Sequence, residues 1–214
     1  MRSVSELERS VVAELVDLDR SDVVVRFRLE GSPFLAQFRP DEGEIRRRKL
    51  SGIESVTSVG LLHALWSVPK DGTAVDSLRF IDLTTLEKDQ TGLVSVEDGR
   101  IWRSYAPPGE VLLFAARRSN YDLAIQRALE IPPVFWRAAL WDAPRNGDDP
   151  RGSALLRTAQ RNGVGLGEFH REREWQIIQR PRQPITGVEG VYRWFVAELA
   201  FDSWLQAQRA QLSS

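Results

Sequence analysis

Glu168, His170, Glu172 and Glu174 alternate along the chain, so on an extended strand they would line one face, where carboxylates and an imidazole can move protons or hold a metal. The arginines between them, Arg171 and Arg173, make the same stretch readable as a solvated hairpin tip. Gly163, Gly165 and Gly167 suggest a phosphate-binding loop, but such a loop leaves a strand and opens a helix so that amide groups meet the phosphate. Here the order is reversed, which favours glycines that end a helix and allow strands to pack closely. Asp82 shares strand parity with Leu78 and Phe80; facing inward it would be a buried carboxylate in need of a partner, and therefore a site candidate. With Ile81 and Leu83 inward it would be wet. His63 falls on the apolar side of a helical pattern and reads as a hydrogen-bonded core histidine.

The basic residues offer a second chemistry. Arg26, Arg28 and Arg39 fall on the polar face of a hairpin pattern, and Arg46-Arg47-Arg48-Lys49 is the chain's only basic run. These seven are the candidate nucleic-acid contacts, and phosphate binding through them would be salt-sensitive and blind to sequence. An ordinary solvated surface explains the same residues, and the net charge of −1 argues against a protein that embraces nucleic acid with its whole surface. The absence of cysteine excludes disulfides, thiolate nucleophiles and cysteine-bound metals, and 2 histidines leave little for other transition metals. No metal or other cofactor is expected on these grounds.

The elements that must position these groups follow from patterning. With 214 residues, 42 % of them hydrophobic, the chain can bury a sizeable core. Ser5-Glu6-Leu7-Glu8 has capping-box spacing and opens a helix to about residue 19. Val23–Leu29 and Phe34–Arg39 flank Gly31-Ser32 as a hairpin. Ser51-Gly52-Ile53-Glu54 predicts a helix to about Trp66, and Leu78–Thr84 reads as a strand. Asp98-Gly99 between Val94–Glu97 and Arg100–Arg103 is the residue pair of a type I′ turn. Val111–Ala116 is apolar without alternation, the pattern of a central strand covered on both faces. Helices are predicted near 121–130, 133–142 and 152–162, bounded by Pro132-Pro133 and the stretch from Pro144 to Pro150. A Val164–Phe169 strand, parallel to the central one, and a return strand at Trp175–Gln179 come next. The last element is a long helix from Val188 to about Gln211. The fold class is thus α+β, with a central mixed sheet of about five to seven strands; residues 1–183 are expected as a core domain and 184–214 as a C-terminal helix packed on it.

Residues 110–180, a strand, helices, a Gly-Val-Gly-Leu strand and a charged return hairpin, are similar to the C-terminal half of restriction-endonuclease-like proteins. The resemblance implies a metal-dependent phosphodiesterase holding Mg²⁺ on an Asp and on a Glu-x-Lys of the following strand. The nearest counterparts here are Asp82 and Glu97, but Glu97 is followed by Asp98-Gly99-Arg100, not by the lysine of that pattern. The leading expectation is a non-catalytic binding or assembly module, a homodimer or a subunit of a larger bacterial complex, with nucleic-acid contact through the arginines; the phosphodiesterase is the alternative. On a helical wheel Trp194, Phe201, Trp204 and Leu205 gather opposite the stripe of Val188, Val191, Tyr192, Phe195 and Leu199, so they are the expected interface with a second copy or another protein. No apolar run is long enough to span a membrane and the first residues lack the apolar core of a signal peptide, so a cytoplasmic location is expected.

Overall fold

The computed structural model describes residues 4–16, 19, 21–88, 92–143, 153–170, 174–186 and 190–212. The chain divides into two compact units: Met1–Arg39, Val111–Val188 and Ser203–Ser214 form the first, Pro40–Glu110 and Glu189–Asp202 the second. The architecture is α+β.

The first unit is built on a six-stranded sheet. Its strands are β1 (Val23–Leu29), β2 (Ser32–Pro40), β6 (Gly109–Arg118), β7 (Trp136–Asp142), β8 (Gly165–Phe169) and β9 (Trp175–Gln179), in the order β1-β2-β6-β7-β8-β9. The hairpin β1–β2 is antiparallel, β6–β7 and β7–β8 are parallel, and β8–β9 is antiparallel. The sheet is therefore mixed, and its parallel part is buried as the unbroken apolar runs require. Helix α1 (Glu6–Leu15) covers one face, where Val11, Val12 and Leu15 join Leu35, Leu113, Ala115, Ala138 and Leu140 in one cluster. Its start is fixed by the predicted capping box, the Ser5 side chain and the Glu8 carboxylate each accepting from the other's backbone N–H. On the opposite face Phe114 meets Phe27, Phe34 and Phe135 edge-on, with ring centroids 5.6, 6.0 and 4.8 Å apart. Helix α5 (Tyr121–Glu130) lies on that side, with Tyr121 against Trp141, and α6 (Ala154–Arg161) packs on α5. Gly167 leaves room for its neighbour strand: a Cβ there would sit 2.8 Å from Leu140 Cδ2.

The second unit contains α2 (Glu42–Ser51), α3 (Val59–Ser67), α4 (Phe80–Glu87), and a three-stranded antiparallel sheet, β3 (Thr73–Ala74), β5 (Arg100–Arg103) and β4 (Val94–Glu97) in the order β3-β5-β4. Residues 191–202 of α7 (Val191–Leu212) belong to it as well. Leu62, Leu65, Leu86, Leu93, Ile101, Tyr105 and Trp194 make its core. Inside that core Arg48 is 1 % exposed and Glu198 0 %. Arg48 Nη1 and Nη2 donate to the Glu198 carboxylate at 3.0 and 2.7 Å, and Nε donates to Glu44 at 2.8 Å. The Tyr105 hydroxyl and the Val56 N–H complete the shell of Glu198, both at 2.8 Å. Burial and the adjoining Glu198 charge push the Tyr105 phenol up, so it stays a neutral donor.

Several predicted elements differ from those observed. Residues 78–84 form no strand; α4 starts at Phe80, with Asp82 bonded to Arg79 and the Thr84 and Thr85 hydroxyls returned to the Phe80 and Ile81 carbonyls. Both β-branched threonines are thereby satisfied within a helix. The helix predicted at 133–142 is strand β7, because the Ala138-Ala139-Leu140-Trp141 run is compatible with either state and its burial between β6 and β8 decides. The central strand and β8 are in consequence separated by β7. The helix predicted from Ser51 starts only at Val59: Gly52, at φ 68°, is the left-handed cap that ends α2, and Ser58 caps α3. Helix α1 ends at Leu15, short of residue 19. His63 is exposed rather than in the core, since α3 turns Leu62, Ala64 and Leu65 inward. The Pro144–Pro150 boundary, Glu172 and Val188 lie outside the described residues.

Candidate anion-binding site

Strand β6 is apolar until its carboxyl end, where Arg117, Arg118 and Ser119 follow one another before Asn120 caps α5. There they border a pocket of about 300 Å³ shared with Glu8 of α1, Arg26 of β1 and Asp142 at the end of β7. The carboxyl edge of parallel strands is where open sheets of this kind place ligands, because side chains from successive strands converge there without strand pairing in the way.

Glu8 organises the charges. Its side chain is 2 % exposed and accepts from Arg26 Nη2 at 2.6 and 2.7 Å and from Arg117 Nη1 at 2.8 Å. The Ser5 N–H and hydroxyl donate to the same carboxylate at 2.9 and 3.1 Å. Burial pushes the Glu8 carboxyl up, but the Ser5 N–H and the guanidinium groups of Arg117 and Arg26 outweigh it and hold the group below its ordinary value. Glu8 thus stays ionised and is a poor proton acceptor. Arg117 lies 4.5 Å over the Phe169 ring and reaches Asp142 Oδ1 at 3.4 Å. Arg118 differs: among the described residues its hydrogen bonds go to the carbonyl oxygens of Pro33 and Arg117, at 2.9 and 2.7 Å, and to no carboxylate. Three guanidinium groups thus face two carboxylates, which leaves one net positive charge in a partly enclosed space. Comparison with protein-family models, with curated proteins and with solved structures finds no match.

The candidate residues read from the sequence are dispersed. Arg26 is in the pocket. Arg28 is exposed and donates to Gly31 O; Arg39 is held by Asp22, with Nε–Oδ1 at 2.7 Å. The run on α2 splits by helical periodicity: Arg46 and Lys49 are exposed, Arg47 is clamped by Glu44 at 2.8 Å, and Arg48 is the core ion pair. Asp82 sits on α4, buried and bonded to Arg79, while Glu97 is exposed on β4. Neither is on a strand of the six-stranded sheet, as the resemblance implied. Glu168 and His170 do approach, Oε2–Nε2 3.6 Å, with Trp141 Nε1 donating to Glu168 at 3.2 Å. Among the described residues no group of three or more His, Asp or Glu side chains is placed to hold a metal. Trp194 and Phe201 are 8 % and 2 % exposed, Trp194 lying against Trp66, Tyr105 and Arg103, so they supply no open aromatic patch; Trp204 and Leu205 are half-buried.

Glu8, Arg117, Arg118 and Asp142 escaped the sequence reading. A signal existed for two of them: paired arginines at the carboxyl end of a buried strand, just before a helix cap, are at the ligand edge of the sheet. Glu8 is 109 residues from its partner Arg117, a distance that no local pattern spans.

Proposed function

We propose that this protein is a non-catalytic binding module that takes an oxyanion-bearing ligand into the arginine-lined pocket of the first unit. The observation that carries this reading is Arg118, a half-buried guanidinium at the pocket wall that bonds only to carbonyl oxygens among the described residues. A guanidinium so placed gains a charge-assisted bond when an anion enters. Binding rather than catalysis fits the site, because its buried carboxylate is committed to two arginines. The phosphodiesterase alternative has less support: Asp82 is engaged by Arg79 on a helix and Glu97 points to water from the small sheet. Titration of the full chain with anionic probes at low salt tests the reading, with Arg118→Ala expected to weaken binding tenfold or more.

Assembly is a second reading, favoured by Phe80 and Ile81, which are 84 % and 68 % exposed at adjacent positions in the first turn of α4. Association with a second copy would bury both. Nucleic-acid contact through Arg28, Arg46 and Lys49 is a proposal on the same footing, resting on their exposure.

A further inference from the structure

We infer that the ligand of this pocket is a small, singly charged organic acid carrying a hydroxyl or amino group beside its carboxylate, and not a polyanion such as nucleic acid. The inference rests on the anion-binding reading above and sharpens it. Charge is the first argument. Arg26 and Arg117 already share the Glu8 carboxylate, so most of their charge is met inside the protein. Arg118 is the guanidinium left for the ligand, and one net positive charge is balanced by one carboxylate. A second or third negative charge would face Glu8 and Asp142, and like charges within a few ångströms disfavour binding.

The pocket's second feature is Asp142. Its carboxylate is 53 % exposed at the mouth and its one ion pair among the described residues, with Arg117, is stretched to 3.4 Å. An ionised carboxylate is acceptor-only, so it answers a donor on the ligand, a hydroxyl or an ammonium. Cation and acceptor on opposing walls thus specify an acid with a neighbouring donor. Size is the third argument. A volume of about 300 Å³ holds a molecule of amino-acid or hydroxy-acid dimensions, at the small end of ligand pockets, and cannot seat a strand of nucleotides. The arginines that would extend a phosphate track are used elsewhere: Arg39 on Asp22, Arg47 on Glu44, Arg48 on Glu198.

Calorimetric titration of the full chain at low salt, with lactate, L-serine, propionate, inorganic phosphate and a single-stranded oligonucleotide as separate probes, tests this. Lactate or L-serine should bind with one site per chain and at least fivefold more tightly than propionate. Arg118→Ala should abolish binding of all the small acids, and Asp142→Asn should erase the preference over propionate. Both side chains are partly exposed, and circular dichroism checks that each variant is folded; if Arg118→Ala unfolds, Arg118→Lys, which keeps charge but loses the fork, should still weaken binding. Oligonucleotide or phosphate binding more tightly than every small acid, with loss in Arg118→Ala, overturns this inference and leaves the anion-binding reading standing. Failure of all five probes to bind overturns both.

Discussion

At the scale of single residues, the chain spends its arginines on carboxylates. Arg48 is the clearest case, because its partner Glu198 has 0 % exposure and four donor atoms, two from Arg48 and one each from Tyr105 and Val56. Removing one member of a buried, hydrogen-bonded pair strands the other, so Arg48→Ala should destabilise by about 3–5 kcal/mol, read from urea unfolding at constant m-value. Arg46→Ala, one residue type and two positions away but exposed, should cost under about 0.5 kcal/mol. Equal costs for the two would refute the assignment of Arg48 to the core. Glu8 and Asp22 give a pH dependence whose sign is set by their environment. Burial raises both, but for Glu8 the Ser5 N–H with Arg117 and Arg26, and for Asp22 the Arg39 side chain with the Asp19 N–H, lower them by more. Carboxyls depressed in the folded state stabilise above their unfolded value, about 4, and lose that contribution as pH falls through the folded value. The urea midpoint should therefore drop between pH 5 and pH 2, and Glu8→Gln should flatten that drop while lowering stability at pH 7.

At the scale of elements, short-range turn chemistry is the most dependable feature. Asp98 and Gly99 have φ of 49° and 72°, as the two central positions of a type I′ turn require. A Cβ on Gly99 would meet no atom within 4 Å, so Gly99→Val is a test of backbone strain alone and should cost roughly 1–3 kcal/mol. An unchanged melting temperature would contradict that. Helix α4 shows the opposite situation. Its Phe80-Ile81-Asp82-Leu83-Thr84-Thr85 run has strand-favouring types, yet Asp82 and Leu86 turn inward at helical spacing and Phe80 and Ile81 stay in water. Period-2 alternation over four or five residues is too short to separate the two states.

For the molecule as a whole, the exposed apolar side chains Phe80 and Ile81 support self-association. Light scattering should give a mass above that of one chain, and Phe80→Asp with Ile81→Asp should return it to one chain with little change in melting temperature. A wild-type mass of one chain at tens of micromolar would remove the assembly reading. The aromatic residues of α7 are poorer anchors than their helical wheel suggests, since Trp194 and Phe201 are enclosed by their own chain. No described helix is long and apolar enough to cross a membrane.

What the sequence determined by itself was whatever depends on neighbours in the chain: the Ser5 capping box, the Asp98-Gly99 turn, the end of a helix at Asn162-Gly163, the β1–β2 hairpin, the central strand and the α+β class. Caps and turns are satisfied within four residues, so their signals are local. Only the tertiary structure decided that residues 136–142 are a strand, since burial between β6 and β8 outweighs a weak local preference. Only it separated Arg48 from Arg46 and Lys49, because the partner carboxylate of Arg48 lies 150 residues away. The pocket belongs to the same class: Glu8, Arg26, Arg117 and Asp142 become neighbours through strand order, and strand order is a property of the folded sheet, not of any window of the chain.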